Sequence, residues 1–359
     1  MTGWRRVAGG TGCSADGHVP ALRLSALRAG ARHRAILVAG LCVAGVVGLA
    51  FTALLLGATS LPATRVVATL FGGGDPGEQL IVLGLRAPRI AAALLAGVGF
   101  AMAGATFQSL LHNPLASPDI LGISGGASLG ALVCLLVLGA TGPLVALGAF
   151  AGAMGVAFVI WAVAWNRGLH GIRFVLVGVG VAYLCGALVG WLIASANVRV
   201  ALSAFQWTVG SVADVRGDSL GLLTVGTAVC AGWVLVRSRM LRPLVLGDDR
   251  ARSLGVRVNA ARGELLGAAV LLVALATSVT GPISFIALCA PAIARRLVGH
   301  GSAAVGTAGV IGAALTLAAD VAGQFAIPGL VAPVGIVTGI LGAPYVLWLL
   351  ARTDRRGPQ

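Results

Sequence analysis

The chain has 359 residues, 58% hydrophobic and only 10% charged, with a formal net charge of +14. No soluble globular domain of this size is so poor in charge. The apolar residues fall in long runs between charged clusters, as in a polytopic helical membrane protein. Alternating ten-residue strands are absent, which excludes a transmembrane barrel. The basic residues flank apolar runs, so the excess charge reads as topology signal and not as a nucleic-acid surface.

The sequence contains no lysine, so all 25 basic residues of the Lys+Arg count are arginine. A phosphate-binding Walker loop needs a lysine after its last glycine. Any ATP hydrolysis must therefore come from another chain. Of the six cysteines, all but Cys13 lie inside apolar runs and none forms a CxxC pair. They read as small packing residues, with no metal or cofactor implied.

In chain order, residues 1–34 are polar, glycine-rich and basic, and are expected to form a disordered cytoplasmic tail. The apolar run 35–57 is too long for a signal-peptide core and reads as a retained first helix. Further spans are expected near 89–111, 120–139, 143–165, 172–195, 219–236, 264–281, 283–298, 303–325 and 333–351, followed by a cytoplasmic tail, 353–359. Leu265 to Leu288 reads either as one helix or as two split at the Gly281-Pro282 turn. The fold expected is thus all-α, with about ten transmembrane helices. With ten, Arg65, Arg86, Arg89, Arg199 and Arg216 fall outside and all other arginines inside. The positive-inside rule then puts both termini in the cytoplasm.

The segment Leu85 to Ala131 is the most informative. Arg86 and Arg89 flank Pro88, an uncharged run follows, and His112-Asn113-Pro114 breaks it before a glycine-studded second run. Ala93, Gly97, Ala101 and Ala105 recur every fourth residue, as do Gly122, Gly126 and Gly130. Each set makes a small-residue stripe that lets helix backbones approach closely in lipid. Gln108 and Asn113 are polar groups at the end of an apolar helix and should face protein or water. Gln108 is expected to line a pathway or a helix interface, and Asn113 to fix the turn.

This block resembles the permease subunits of type II ABC importers, the family that moves ferric siderophores, haem and cobalamin. The family run is close to LRLPR, then AG, Q and RNPLA-P-LG-S-GA. Arg86, Pro88, Arg89, Ala103-Gly104, Gln108, Asn113-Pro114-Leu115-Ala116, Pro118, Leu121-Gly122, Ser124 and Gly126-Ala127 all match it. Ala87 and His112 depart from it. The resemblance covers roughly residues 40–352. It implies a pathway or turn role for Gln108, Asn113, Pro114 and Ser124.

The long loop 237–263 holds Leu246-Gly247-Asp248-Asp249-Arg250-Ala251-Arg252-Ser253-Leu254-Gly255. It resembles the family's coupling loop, whose short helices dock on the ATPase; the plain alternative is a solvated charged loop. The resemblance assigns Gly247, Ala251, Leu254 and Gly255 to ATPase coupling. A third match is Gly281 to Gly299, in which Ala292 replaces the family histidine. A fourth is Pro333 to Arg352. Asp320 matches a family aspartate, but the arginine expected four residues later is Gln324. By resemblance, Arg86 and Arg89 face outward and dock acidic residues of a substrate-binding protein; the alternative is snorkelling at a helix end. Asp119, after Pro118 at a helix start, suits a capping position.

The function implied is the membrane permease of an importer for an iron–siderophore complex, in the cytoplasmic (inner) membrane. Its expected partners are separate ATPase subunits, a substrate-binding protein, a second permease subunit (identical or paralogous) and membrane lipid. A cobalamin or haem importer is the alternative within the family. A secondary transporter would need more intramembrane ionisable residues, and no metal pair or nucleophile with a histidine partner suggests an intramembrane enzyme.

Overall fold

In the computed structural model, the described residues are 21–354, apart from 58, 60, 165–170, 216, 246, 300–303, 328 and 330. Residues 1–20 and 355–359 of the expected tails lie outside them, as do Arg167, Arg216, Leu246, His300-Gly301-Ser302, Arg355 and Arg356. The described residues are helical with irregular connections and include no strand. The helices are α1 (Ala21–Leu55), α2 (Ala63–Leu70), α3 (Pro76–Leu110), α4 (Ile123–Val137), α5 (Pro143–Ala164), α6 (Gly171–Ser195) and α7 (Val198–Val209). Beyond these come α8 (Gly217–Arg237), α9 (Leu241–Val245), α10 (Asp248–Ser253), α11 (Val258–Thr280), α12 (Ile286–Val298), α13 (Val305–Phe325) and α14 (Val334–Asp354).

Among the described residues, seven helical stretches are long and apolar enough to cross a membrane: Ile36–Leu55, Pro76–Leu110, Pro143–Ala164, Ile172–Ser195, Gly217–Val245, Val258–Thr280 and Val305–Phe325. Two shorter apolar helices, Ile123–Val137 and Val334–Trp348, accompany them. This is an all-α, multi-pass membrane fold. The first helix is already present at Ala21, the first described residue and well ahead of the apolar run, because Ala-Leu-Arg-Leu-Ser-Ala-Leu-Arg is made largely of good helix formers. The stretch from Leu265 to Leu288 is two helices. α11 stops at Thr280, Gly281 takes a φ of +69°, and α12 starts only at Ile286.

The bundle is built around α3. In its most apolar window 78% of residues are buried, against 11% for α1 and 17% for α6. α3 packs against α11, α12 and α13, while α4 packs chiefly against α5 and α6. The small-residue stripes explain the closeness. A Cβ at Gly97 would collide with the backbone of Gly312 on α13, and one at Gly104 with the Ala287 backbone on α12. Gly126 and Gly130 meet Gly152 and Gly148 of α5 in the same way, whereas Gly122 faces Ala182 of α6. With no side chain between them, backbones touch and dispersion contacts multiply.

A second backbone crossing joins the ends of α7 and α11 to the start of α14. The Ser211 N–H donates to the Thr280 carbonyl at 2.7 Å, and Gly210 accepts from the Gly335 N–H at 3.3 Å. Gly210, Gly281 and Gly335 have no room for a Cβ there.

Candidate functional site

The connection between α3 and α4 is an ordered turn held by its own side chains. His112 adopts a φ of +50° and ends the helix. The Asn113 Oδ1 accepts the Leu115 N–H at 2.9 Å, an Asx turn that leaves Pro114 exposed at the corner. Ser117 Oγ accepts the Ile120 N–H at 3.3 Å. Gly122, at a φ of +81°, is the residue that caps α4.

Asp119 therefore does not cap the helix. Its carboxylate accepts a hydrogen bond from the Ser124 hydroxyl, which is itself buried. Burial pushes the Asp119 carboxyl up to about 6, against the opposing pull of the Ser124 hydrogen bond.

Gln108 sits inside the bundle at 4% exposure. Its Nε2 donates to the Leu288 carbonyl at 3.3 Å, and its Oε1 accepts from Arg295 Nη2 at 2.5 Å. Of the two places expected for it, the structure puts this side chain at the α3–α12 interface. Nothing in the sequence linked Gln108 to Arg295; the only signal was a lone amide on an apolar helix, which had to find a partner. Ala292, in place of the family histidine, is buried on α12.

At the other end of α3, two arginines are satisfied within the chain. Arg86 forks onto the carbonyls of Leu54 and Thr59, both at 2.6 Å. Arg89 binds Asp320 through Nε to Oδ2 at 3.0 Å and Nη2 to Oδ1 at 2.9 Å. Gln324 adds its Nε2 to Oδ2 at 2.8 Å. The glutamine that replaces the family arginine thus completes the shell of Asp320. These groups, with Gly57 and Ala213, line an open pocket of about 310 Å³.

In the loop after α8, Gly247 (φ +99°) and Gly255 (φ +80°) bracket the six-residue helix α10. Ala251 does not face outward: it is fully buried against its own subunit. Leu254 is 65% exposed. The Arg262 guanidinium forks onto Asp248, Nη1 to Oδ2 at 2.9 Å and Nη2 to Oδ1 at 2.7 Å. Neither residue stood out in the sequence.

Among the described residues, no three His, Cys, Asp or Glu side chains are placed to hold a metal ion. The arrangement offers close-packed helices, two buried polar bridges and an exposed loop held by a short helix.

The FecCD transport family matches residues 41–352. The chain is 37% identical over 324 residues to the ferric enterobactin transport system permease protein FepG of Escherichia coli (strain K12), covering 89% of this chain and 96% of that one. It is 34% identical over 306 residues to the probable siderophore transport system permease protein YfhA of Bacillus subtilis (strain 168), covering 83% and 89%. A solved structure, described as an inward-facing conformation of a metal-chelate type ABC transporter, superposes with a TM-score of 0.79. Its identity is 24%, over 88% of this chain and 98% of that one, which speaks to the fold.

Proposed function

The chain belongs to the FecCD transport family, and from that membership we propose that it is the membrane permease of an ABC importer carrying an iron–siderophore complex inward. The observation that carries the substrate class is the 37% identity to a ferric enterobactin permease along nearly the whole of both chains. Asp320 is neutralised by Arg89, and Asp119, in the turn before α4, is held by the Ser124 hydroxyl. Transport then depends on two states whose balance is shifted from outside the chain.

We read ten crossings: the seven long stretches, the shorter α4 and α14, and α12. With ten, both termini lie inside, where arginine is most abundant. The membrane is the cytoplasmic one, and the lipid-facing surface is made of exposed apolar side chains such as Leu41, Phe158 and Leu184. Two ATPase subunits would meet Leu254 and the backbone turns at Gly247 and Gly255, with Ala251 seating α10 from below. A second permease subunit would complete the pathway. A substrate-binding protein would dock outside over Arg86 and Arg89, whose hydrogen bonds fix the shape of that surface. In this reading Asn113, Pro114 and Ser124 shape the turn at the inner end of α3.

The test is reconstitution. Proteoliposomes holding this chain, its ATPase partner and its binding protein should import ferric siderophore when ATP is supplied inside. Liposomes holding this chain alone should not. Uptake driven by an ion gradient without ATP would overturn the reading.

A further inference from the structure

We propose that Asp248 and Arg262 form the link through which α10 moves α11, making them a positioning pair for the coupling of hydrolysis to import. This rests on the reading of residues 247–255 as the ATPase contact.

A six-residue helix has no stability of its own. The glycines at both of its ends take positive φ and break the helix, so no continuous helical ladder joins α10 to its neighbours. Something else must fix α10 to the bundle. Buried Ala251 seats it, but an alanine gives no directional hold.

The fork from Arg262 to Asp248 gives one. It is bidentate, and the Arg262 side chain is only 13% exposed. Asp248 lies in the first turn of α10, where a carboxylate suits the helix dipole. Arg262 Nε is buried and has no hydrogen-bond partner among the described residues. Both terminal nitrogens are committed to Asp248 at that cost. The neighbouring Arg252–Asp249 pair differs: its side chains are 59% and 99% exposed, so it adds little rigidity.

Arg262 belongs to the first turns of α11, whose 23 residues span about 34 Å. Close by, Arg237 pairs with Glu264 and ties α8 to the same end. The opposite end of α11 receives the Ser211 N–H at Thr280, and Gly281 lies so close to the Trp207 carbonyl that a Cβ there would collide with it. A pull on Asp248 is therefore taken up by a long, buried helix and delivered to the segment that follows α7. The glycine crossing at Gly210 and Gly281 joins the two without a flexible side chain between them.

The experiment uses the full complex in proteoliposomes and reads ferric siderophore imported per ATP hydrolysed. Asp248→Asn and Arg262→Lys each remove the fork, the latter with the charge kept. Both should lower the ratio at least fivefold while the ATPase still co-purifies. The swap Asp248→Arg with Arg262→Asp should restore at least half of it. Wild-type ratios in the single variants, or a swap as poor as they are, would overturn the proposal. If Asp248→Asn does not accumulate, Arg262→Lys with the swap carries the same decision. Leu254→Asp separates the two readings. If it leaves ATPase binding intact, the contact reading fails; if it abolishes binding while the pair variants stay normal, only the link fails.

Discussion

Arg89 and Asp320, 231 residues apart in the chain, meet through a bidentate fork that ties α3 to α13. The carboxylate is 3% exposed and the guanidinium 22%, so the pair is largely removed from water. Removing one partner of such a pair leaves a charge without compensation, at about 3–5 kcal/mol.

Arg89→Ala should therefore lower the thermal midpoint of the purified protein clearly, near the lower end of that cost because Arg89 keeps some water. Arg89→Gln combined with Asp320→Asn should lower it less than Arg89→Ala alone, since no charge is stranded. A fluorescence-based melt in detergent checks both. Equal losses would mean that the pair does not act as a unit.

Gln108→Leu removes the acceptor of Arg295 and should reduce the amount of folded protein. The side chain lies between α3 and α12. A cysteine placed at 108, in a background without the native cysteines, should stay unreactive to a water-soluble thiol reagent in every nucleotide state. Rapid labelling would move Gln108 into the pathway.

Asn113→Ala loses the Oδ1 acceptor of the Leu115 N–H and should cost about 1 kcal/mol, the usual worth of such a bond. Asn113→Asp keeps the acceptor and should recover most of the loss. Yield and melting temperature of the three proteins decide the matter.

Asp119 gives a pH signature. Its carboxyl is raised by burial from 3.8 to about 6. The folded protein thus binds a proton more tightly than the unfolded chain does. That contribution is fully present below pH 3.8 and is lost as pH rises through about 6. Asp119→Asn should be more favourable, relative to the native protein, at pH 7 than at pH 4.5. Melts of both proteins across that range give the difference. A gap that does not change with pH would place the titration elsewhere.

The sequence carried the helices well because the apolar runs are long and their breaks fall on Gly, Pro and Asn. It also carried the turn at Asn113, where the side chain bonds only two residues ahead. It could not carry Gln108 with Arg295 or Arg89 with Asp320, because nothing local relates partners so far apart. Ala251 shows a further limit: in a charged loop an alanine looks the same whether it faces the partner or the bundle. The helix over residues 21–34 was hidden by its arginines, which suit a helix as readily as a tail.

Where Gly97 meets Gly312 the backbones of α3 and α13 touch, and the side chains of Thr316, Ala101 and Met102 pack beside the crossing. Contact that close adds dispersion attraction along the whole crossing and leaves no gap for a side chain to move into. The Arg89–Asp320 fork pins the same two helices at one end. The glycine crossing and the fork thus hold α3 to α13 at two separate places along their length, so a shift of one helix carries the other with it.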